Sequence, residues 1–394
     1  MRPLPVRTAD VVVVGAGVQG AALAFQLARR GVGVAVLDRA AVGAGATGRS
    51  SGFVRMHYDL ALEAELAWRS FPWFTGWAER VGAGDCGFVR TGFLQLVPED
   101  EAVALRANVA AQQALGIATA AVDAGECARL VPGMIVEDVG AAAWEPESGY
   151  ADPTGTAAGF LEAARRLGAA YAGGVEVTAV RVHGERVLGV ATSAGPVDAP
   201  VVVDAAGAWA PALARTVGIE VPVTPWRHDT AYLGLPAGHP AALPIVLDHA
   251  GSVYFRPEGS DLLLAGLEDG NVLGGSPDRP LEGYDRGLAD ELVARVCARV
   301  PWMSGGDFRS ANRGQDGMTP DQRPVLGPAG PDGFVLACGF SGTGFKTAPA
   351  IAESLAEWIL DGAPATVDLR PFSLDRFADG RLLVGEHPYR ELWR

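Results

Sequence analysis

The chain reads as a mixed α/β fold in which a parallel-sheet unit and an antiparallel-sheet unit interleave along the sequence. Three observations point there. Val11 to Val14 is an unbroken β-branched run, the composition of a strand buried on both faces. Glycines at positions 15, 17 and 20 follow it and lead into a helix-forming stretch. Much later, "WRHDTAYLGL" (Trp226 to Leu235) and "GSVYFRPEGSDLLLAGLED" (Gly251 to Asp269) alternate polar and apolar residues, as a one-sided antiparallel sheet does.

Composition narrows the class. The 394 residues are 49% hydrophobic and 20% charged, enough to build one large domain or two interleaved ones. A net charge of −14 lacks the basic footprint that nucleic acid or an anionic membrane requires. Cys86, Cys127, Cys297 and Cys338 are far apart in sequence. They form no CxxC pair and no metal pattern, so they read as free buried thiols. The start, "MRPLPVRTAD", shows no apolar signal stretch, and "VVVVGAGV" is too short to span a bilayer. A cytoplasmic location is expected.

The first element is a dinucleotide-binding unit of the Rossmann type. After the strand, Gly15 permits a tight turn, Gly17 lets backbone approach a pyrophosphate, and Gly20 lets helix and strand pack closely. Val18 lies in the glycine turn, and the helix that follows presents free N–H groups and its positive dipole end to phosphates. The helix is expected over Ala21 to Arg30 and is stopped by Gly31; the second strand is expected over Val32 to Leu37. Asp38, 18 residues after Gly20, suits ribose hydroxyls, with Arg39 beside it. The motif by itself leaves NAD and FAD open. The polar, small-residue loop "GAGATGRSSGFVRMHYD" (Gly43 to Asp59) favours a longer ligand lying along backbone, with Thr47, Gly48, Ser50 and Ser51 as its contacts.

Here the sequence resembles the FAD-dependent amine oxidoreductases that group with sarcosine oxidase, glycine oxidase and D-amino-acid oxidase. Four stretches carry the likeness: Val11 to Tyr58; "GYADPTGTAAGFLEAARRLGA" with "VEVTAV", Gly149 to Val180; "VVVDAAGAWAPALARTVG", Val201 to Gly218; and Met318 to Ile359, which contains "MTPDQRPVLGP" and "GFSGTGFK". Read from its residues, the second stretch holds a helix over Phe160 to Leu167 and a strand over Val175 to Val180. The third ends in small residues. The fourth holds a strand from Phe334 to Phe340 that opens into a glycine loop and a helix reaching about Leu360. The resemblance implies a glutathione-reductase-like Rossmann FAD domain with an interleaved antiparallel-sheet substrate domain. The FAD domain is expected from residues 1–80, 150–220 and 316–394, the substrate domain from 81–149 and 221–315. Val177, Ala206, Gly207 and Trp209, with Gly339, Gly342, Thr343, Gly344, Phe345 and Lys346, are the further cofactor contacts it implies.

The resemblance also implies an active site. Lys346, the only lysine in the chain, matches a lysine that holds the substrate carboxylate, and Arg55 matches an arginine over the flavin. His57, Tyr254, Arg256 and Glu268 are candidate cavity residues. Several family positions differ. An oxygen-activating lysine and a later histidine align with Leu264 and Glu268, so Glu268 is expected either to meet the amine or to be an ordinary sheet-edge carboxylate. A cysteine that links FAD aligns with Gly314, so FAD is expected to be noncovalent. Residues 150 to 165 hold no histidine, so a second flavin, FMN, is not expected.

The expected function is oxidation of a carboxylate-bearing secondary amine or amino acid to an imine, by hydride transfer to flavin N5, with oxygen or another acceptor taking the electrons. Nucleic acid, membrane and metal are not expected as partners. Two alternatives stand beside it: a 2-hydroxy-acid dehydrogenase with His57 as base, and a flavoprotein subunit of a larger complex.

Overall fold

The computed structural model describes residue 4 and residues 6–279 and 283–390. The outer ends of the expected cofactor segments, residues 1–3 and 391–394, lie outside the described residues, as do residues 5 and 280–282.

The valine run is the strand Val11–Val14, and it is buried throughout. It pairs in parallel with Val34–Asp38 on one side and Val201–Asp204 on the other. Ala170–Gly173 extends the first side in parallel, and Phe334–Cys338 the second. Val325–Pro328 closes that edge antiparallel, giving six strands. Both faces are covered, which is why the strands are apolar on both sides. On one face the helix Val18–Ala28 packs between the helices Pro153–Arg166 and Gly344–Asp361. On the other lies a three-stranded ribbon, Val177–His183, Arg186–Thr192 and Val197–Asp198, with Val180, Val187, Val190 and Val197 turned into the core.

Element boundaries differ from the sequence reading by a few residues. The first helix begins at Val18, three residues before the expected start, because Gly17 already acts as its N-cap; it ends at Ala28. The second begins at Pro153 rather than Phe160. Asp152 caps it by accepting from the Thr154 N–H, and proline fits its first turn, so the start signal was present in "ADPT". The strand expected to reach Phe340 stops at Cys338, since Gly339 turns the chain with φ +68. The expected Val175–Val180 strand runs from Val177 to His183.

A second sheet of nine strands stands beside the first. Its long pair is Thr224–Gly234 against Asp307–Met318. Leu262–Leu267, Val253–Glu258 and Ile245–Asp248 continue it, followed by Phe93–Val97, Ala141–Glu145 and Ala120–Val122. The pairing is antiparallel except between Ile245–Asp248 and Phe93–Val97, which run parallel. A buried ion-pair cluster ties the chain's distant parts together. Arg323, wholly buried, pairs with Asp59 at 3.1 Å and with Glu63, joining the segment before the last core strand to the helix Ala61–Thr75.

Asp204 ends the central strand of the parallel sheet in the apolar core. Its Oδ1 accepts from the Ala206 N–H at 3.1 Å, and its Oδ2 has no partner among the described residues. Burial pushes this carboxyl up to about 7. Because the folded state holds the proton to higher pH than the unfolded chain does, the stability this group contributes is present in acid and is lost as pH rises through about 7. Asp204→Asn keeps the accepting oxygen and cannot ionise. Its urea-unfolding stability is expected to match the parent near pH 4 and to exceed it by a few kcal/mol near pH 8; equal stability at both pH values would contradict the assignment.

Candidate active site

Parallel strands end at one edge, so their turns meet there. A cavity of about 620 Å³ follows that edge and continues toward the second sheet. Gly15, Gly17 and Val18 line one end, at the amino terminus of a helix with no side-chain cap. Thr47 reaches in beside them, its Oγ1 accepting from the Val18 N–H at 3.0 Å. Asp38 lines the same end. Its oxygens accept from the Ala16 and Ala40 N–H groups, both at 2.7 Å, and each keeps a second lone pair. Ser50, Ser51, Val177, Ala206 and Gly207 complete this part of the wall.

Arg39 and Trp209 also line the cavity, and a segment from the other sheet closes over them. The Arg39 guanidinium lies 4.2 Å from the Trp209 ring centroid. One oxygen of Asp278 accepts from Arg39 Nη1 at 2.7 Å and from Trp209 Nε1 at 2.9 Å.

At the far end the glycine loop turns into the helix Gly344–Asp361. Its N-cap, Thr343, makes no side-chain cap, so the first N–H groups are left for whatever lies in the cavity. Gly342, Gly344, Phe345 and Lys346 line this end, together with Phe53, Arg55, Leu247 and Tyr254. Asp316 closes the loop from below, its carboxylate accepting from the Gly342 N–H at 2.9 Å.

Two cations face this end. Lys346 is 6% exposed and Arg55 is 5% exposed. Neither has a carboxylate within ion-pair distance among the described residues. What surrounds them is aromatic. The Arg55 guanidinium sits 4.4 Å from the Tyr58 ring centroid and 5.3 Å from that of Phe93, and the Lys346 ammonium is 5.5 Å from Tyr58. Burial, and then the charge of Arg55, hold the lysine well below its usual value near 10.5.

Several expected contacts lie elsewhere. Gly20, Gly48, Gly339 and Thr343 shape the walls without facing the cavity. A Cβ on Gly20 would stand 2.0 Å from the Gly15 carbonyl oxygen, and one on Gly48 2.6 Å from that of Gly43. Thr343 Oγ1 donates back to the Phe340 carbonyl. His57 is not in the cavity wall. It is fully buried, with Nδ1 bonded to Gln112 and Nε2 to Tyr389, so it has no ring nitrogen left to act as a base. Glu268 is neither at a sheet edge nor in the wall. It follows a central strand and lies buried 3.5 Å from His249 Nε2, and burial raises its carboxyl well above the ordinary range. Arg256 instead ties down the loop below, donating to the Ser51 carbonyl at 2.6 Å while its guanidinium covers the Tyr150 ring.

Phe53, Leu247, His228, Gln315 and Asp316 line the cavity and were not picked from the sequence. Phe53 had a signal, standing two residues before Arg55 in an extended segment, where period two puts both on one face. His228 had none; it is placed by pairing opposite Gly314 across two long strands. A Cβ on Gly314 would stand 2.6 Å from the His228 ring, so no side chain fits there and that position offers only noncovalent contact. Helix amino termini at both ends whose own N-cap residues make no side-chain bond, small residues along the floor and a carboxylate at one end fit an elongated dinucleotide.

With one lysine in the chain, lysine labelled with carbon-13 at Cε gives a single NMR resonance. Its titration midpoint in the folded protein is expected well below the usual value near 10.5. Arg55→Gln, which removes the like charge, should move it upward. A midpoint near 10.5 would show a solvated lysine instead.

The model for "DAO: FAD dependent oxidoreductase" matches residues 10–358. Human mitochondrial sarcosine dehydrogenase is 29% identical over 392 residues, covering 95% of this chain and 42% of its own length. The 4-methylaminobutanoate oxidase (formaldehyde-forming) of Paenarthrobacter nicotinovorans is 28% identical, covering 94% and 46%. The chain thus spans less than half the length of these curated relatives. Among solved structures, L-proline dehydrogenase from P. horikoshii superposes with a TM-score of 0.88 at 26% identity, over 97% of this chain and 100% of that one. Glycine oxidase from Geobacillus kaustophilus gives 0.82 at 26% identity, over 94% and 99%. The strand, glycine turn and helix that open the cavity, and the glycine loop that closes it, fall inside the matched span, and the chain belongs to the DAO family of FAD-dependent oxidoreductases.

Proposed function

We propose that the protein oxidises a small amine that carries a carboxylate, a secondary amine or an amino acid, to the corresponding imine. The observation that carries this reading is the pair of buried cations, Arg55 and Lys346, with no carboxylate partner among the described residues. A buried charge without a partner costs several kcal/mol, and a substrate carboxylate supplies the partner. That end also offers apolar and aromatic surface, from Phe53, Leu247 and Tyr254, which suits a short hydrocarbon body. The relatives named above act, by their names, on sarcosine, 4-methylaminobutanoate, proline and glycine, all small amines with a carboxylate.

The roles divide simply. Arg55 and Lys346 hold the carboxylate and so place the carbon next to nitrogen over the ring system. Tyr254 walls the amine side; its hydroxyl lies so close to the Gly266 backbone that a Cβ there would be 2.2 Å away. The amine must arrive neutral, since its lone pair forms the C=N bond as hydride leaves carbon. FAD, held by the glycine turn, Asp38 and the 342–346 loop, would supply the hydride acceptor at flavin N5. Water would then hydrolyse the imine, and oxygen or another acceptor would take the electrons. His57, held by two neighbours outside the cavity, gives no support to the 2-hydroxy-acid reading, which needed it as base.

Anaerobic bleaching of the flavin spectrum tests the reading. N-methyl amino acids, cyclic imino acids and D-amino acids should include at least one compound that bleaches the protein. Its methyl ester should bleach far more slowly, because the carboxylate contact is gone. Arg55→Gln should lower kcat/KM for that acid by roughly 10- to 100-fold, the loss of one charge-assisted contact, and leave the ester unchanged. Equal rates for acid and ester would overturn the role given to Arg55. Admitting air then separates an oxidase from a dehydrogenase by how fast the colour returns.

A further inference from the structure

Arg55 belongs to a stretch with no regular structure. The strand Phe53–Val54 has ended and the helix Ala61–Thr75 has not begun. Backbone groups there cannot use a ladder, so side chains from elsewhere satisfy them. Glu145 accepts from the Met56 N–H at 3.0 Å and is itself held by the Ser148 hydroxyl at 2.6 Å. Gln112, on the helix Ala102–Ala114, donates from Nε2 to the Tyr58 carbonyl at 2.7 Å. Its Oε1 is therefore the acceptor for His57 Nδ1, 2.8 Å away. That places the imidazole proton on Nδ1 and leaves Nε2 to accept from the Tyr389 hydroxyl at 2.6 Å. The His57 carbonyl, in turn, receives a hydrogen bond from Arg55 Nη1.

Tyr389 comes from the far end of the chain. Its segment is laid down by three bonds: Glu386 N–H to the Asp59 carbonyl, Asn108 Nδ2 to the His387 carbonyl, and Arg390 N–H to Glu101. The Tyr389 ring packs edge-on to His249, with centroids 5.6 Å apart. Burial lowers His57 to about 3, so the ring stays neutral across the working range and the bonds do not exchange with pH.

We propose that Tyr389 is a positioning residue for the substrate carboxylate: through His57 it holds the Arg55 guanidinium in place, so the carboxy-terminal segment completes the substrate site. This rests on the reading of Arg55 as the carboxylate holder. It extends that reading to a residue that touches neither substrate nor cofactor. Guanidinium geometry matters because a planar fork pairs with a carboxylate only in a narrow orientation.

The test compares an anion with its uncharged isostere. Propanoate and propanamide are titrated into the FAD-loaded protein and followed by flavin absorbance. Tyr389→Phe should weaken propanoate binding about three- to tenfold and leave propanamide unchanged. Gln112→Leu, which removes the other bond to the same ring, should act in the same direction and serves if the first variant does not fold. Arg55→Gln should weaken propanoate more than either. If Arg55→Gln weakens propanoate and neither other variant does, the positioning role is overturned while the reading of Arg55 stands. If Arg55→Gln leaves propanoate unchanged, that reading fails and the inference goes with it. Equal loss for propanoate and propanamide in Tyr389→Phe would mean general loosening, and would also overturn the proposal.

Discussion

Parallel strands deliver their turns to a single edge, and this geometry governs the rest of the molecule. The strands Val11–Val14, Val34–Asp38, Val201–Asp204 and Phe334–Cys338 run side by side in one direction. Their exits bring Gly15 and Gly17, Asp38, Ala206 and Gly207, and the 339–344 loop to one long cavity. Helices follow two of those exits, and both begin without a side-chain cap. Thr47 takes the Val18 N–H of the first, and the N–H groups that remain need acceptors in a dry interior. A ligand rich in acceptor oxygens resolves both, and the order of the strands decides that one ligand can reach both.

The second sheet contributes both apolar and polar side chains to the cavity wall, Leu247 and Tyr254 among the first, His228, Gln315 and Asp316 among the second. Arg55 and Lys346 enter from the cofactor side; Leu247 and Tyr254 come from the nine-stranded sheet. Elsewhere the protein pairs its buried arginines with care. Arg323 has Asp59 and Glu63, Arg299 has Asp138 and Asp248, and Arg376 has Asp321. Against that habit, Arg55 and Lys346 face the cavity with aromatic rings beside them and no carboxylate within ion-pair distance among the described residues. The aromatic faces lower the cost of waiting, since a ring quadrupole attracts a cation at about 0.5–2 kcal/mol.

Behind the cations lies a layer of buried polar groups. His57 and His249 are both pushed down by burial, and Glu268 and Glu145 are pushed up, so burial disfavours the charged form of each. Such a layer can hold backbone and side chains in register. It is assembled from residues 55–58, 108–112, 145–148, 249, 268 and 386–390, six parts of the chain that no local pattern links.

The sequence alone determined the local elements. A β-branched run, three glycines and an acid at set spacing specify a strand, a turn, a helix and a carboxylate at the next strand's end, because each depends on near neighbours in the chain. The same holds for the alternation that marked the second sheet, and for Lys346 in its glycine loop. Tertiary structure decided the rest. Glu268 and His57 carry the right chemistry at plausible positions, yet the packing of the second sheet and of the carboxy-terminal segment turns them away from the cavity. His228 and Asp316 carried no signal and line it. Which face of a buried element meets the cavity is set by strand register and by contacts across hundreds of residues, and spacing along a chain does not encode that.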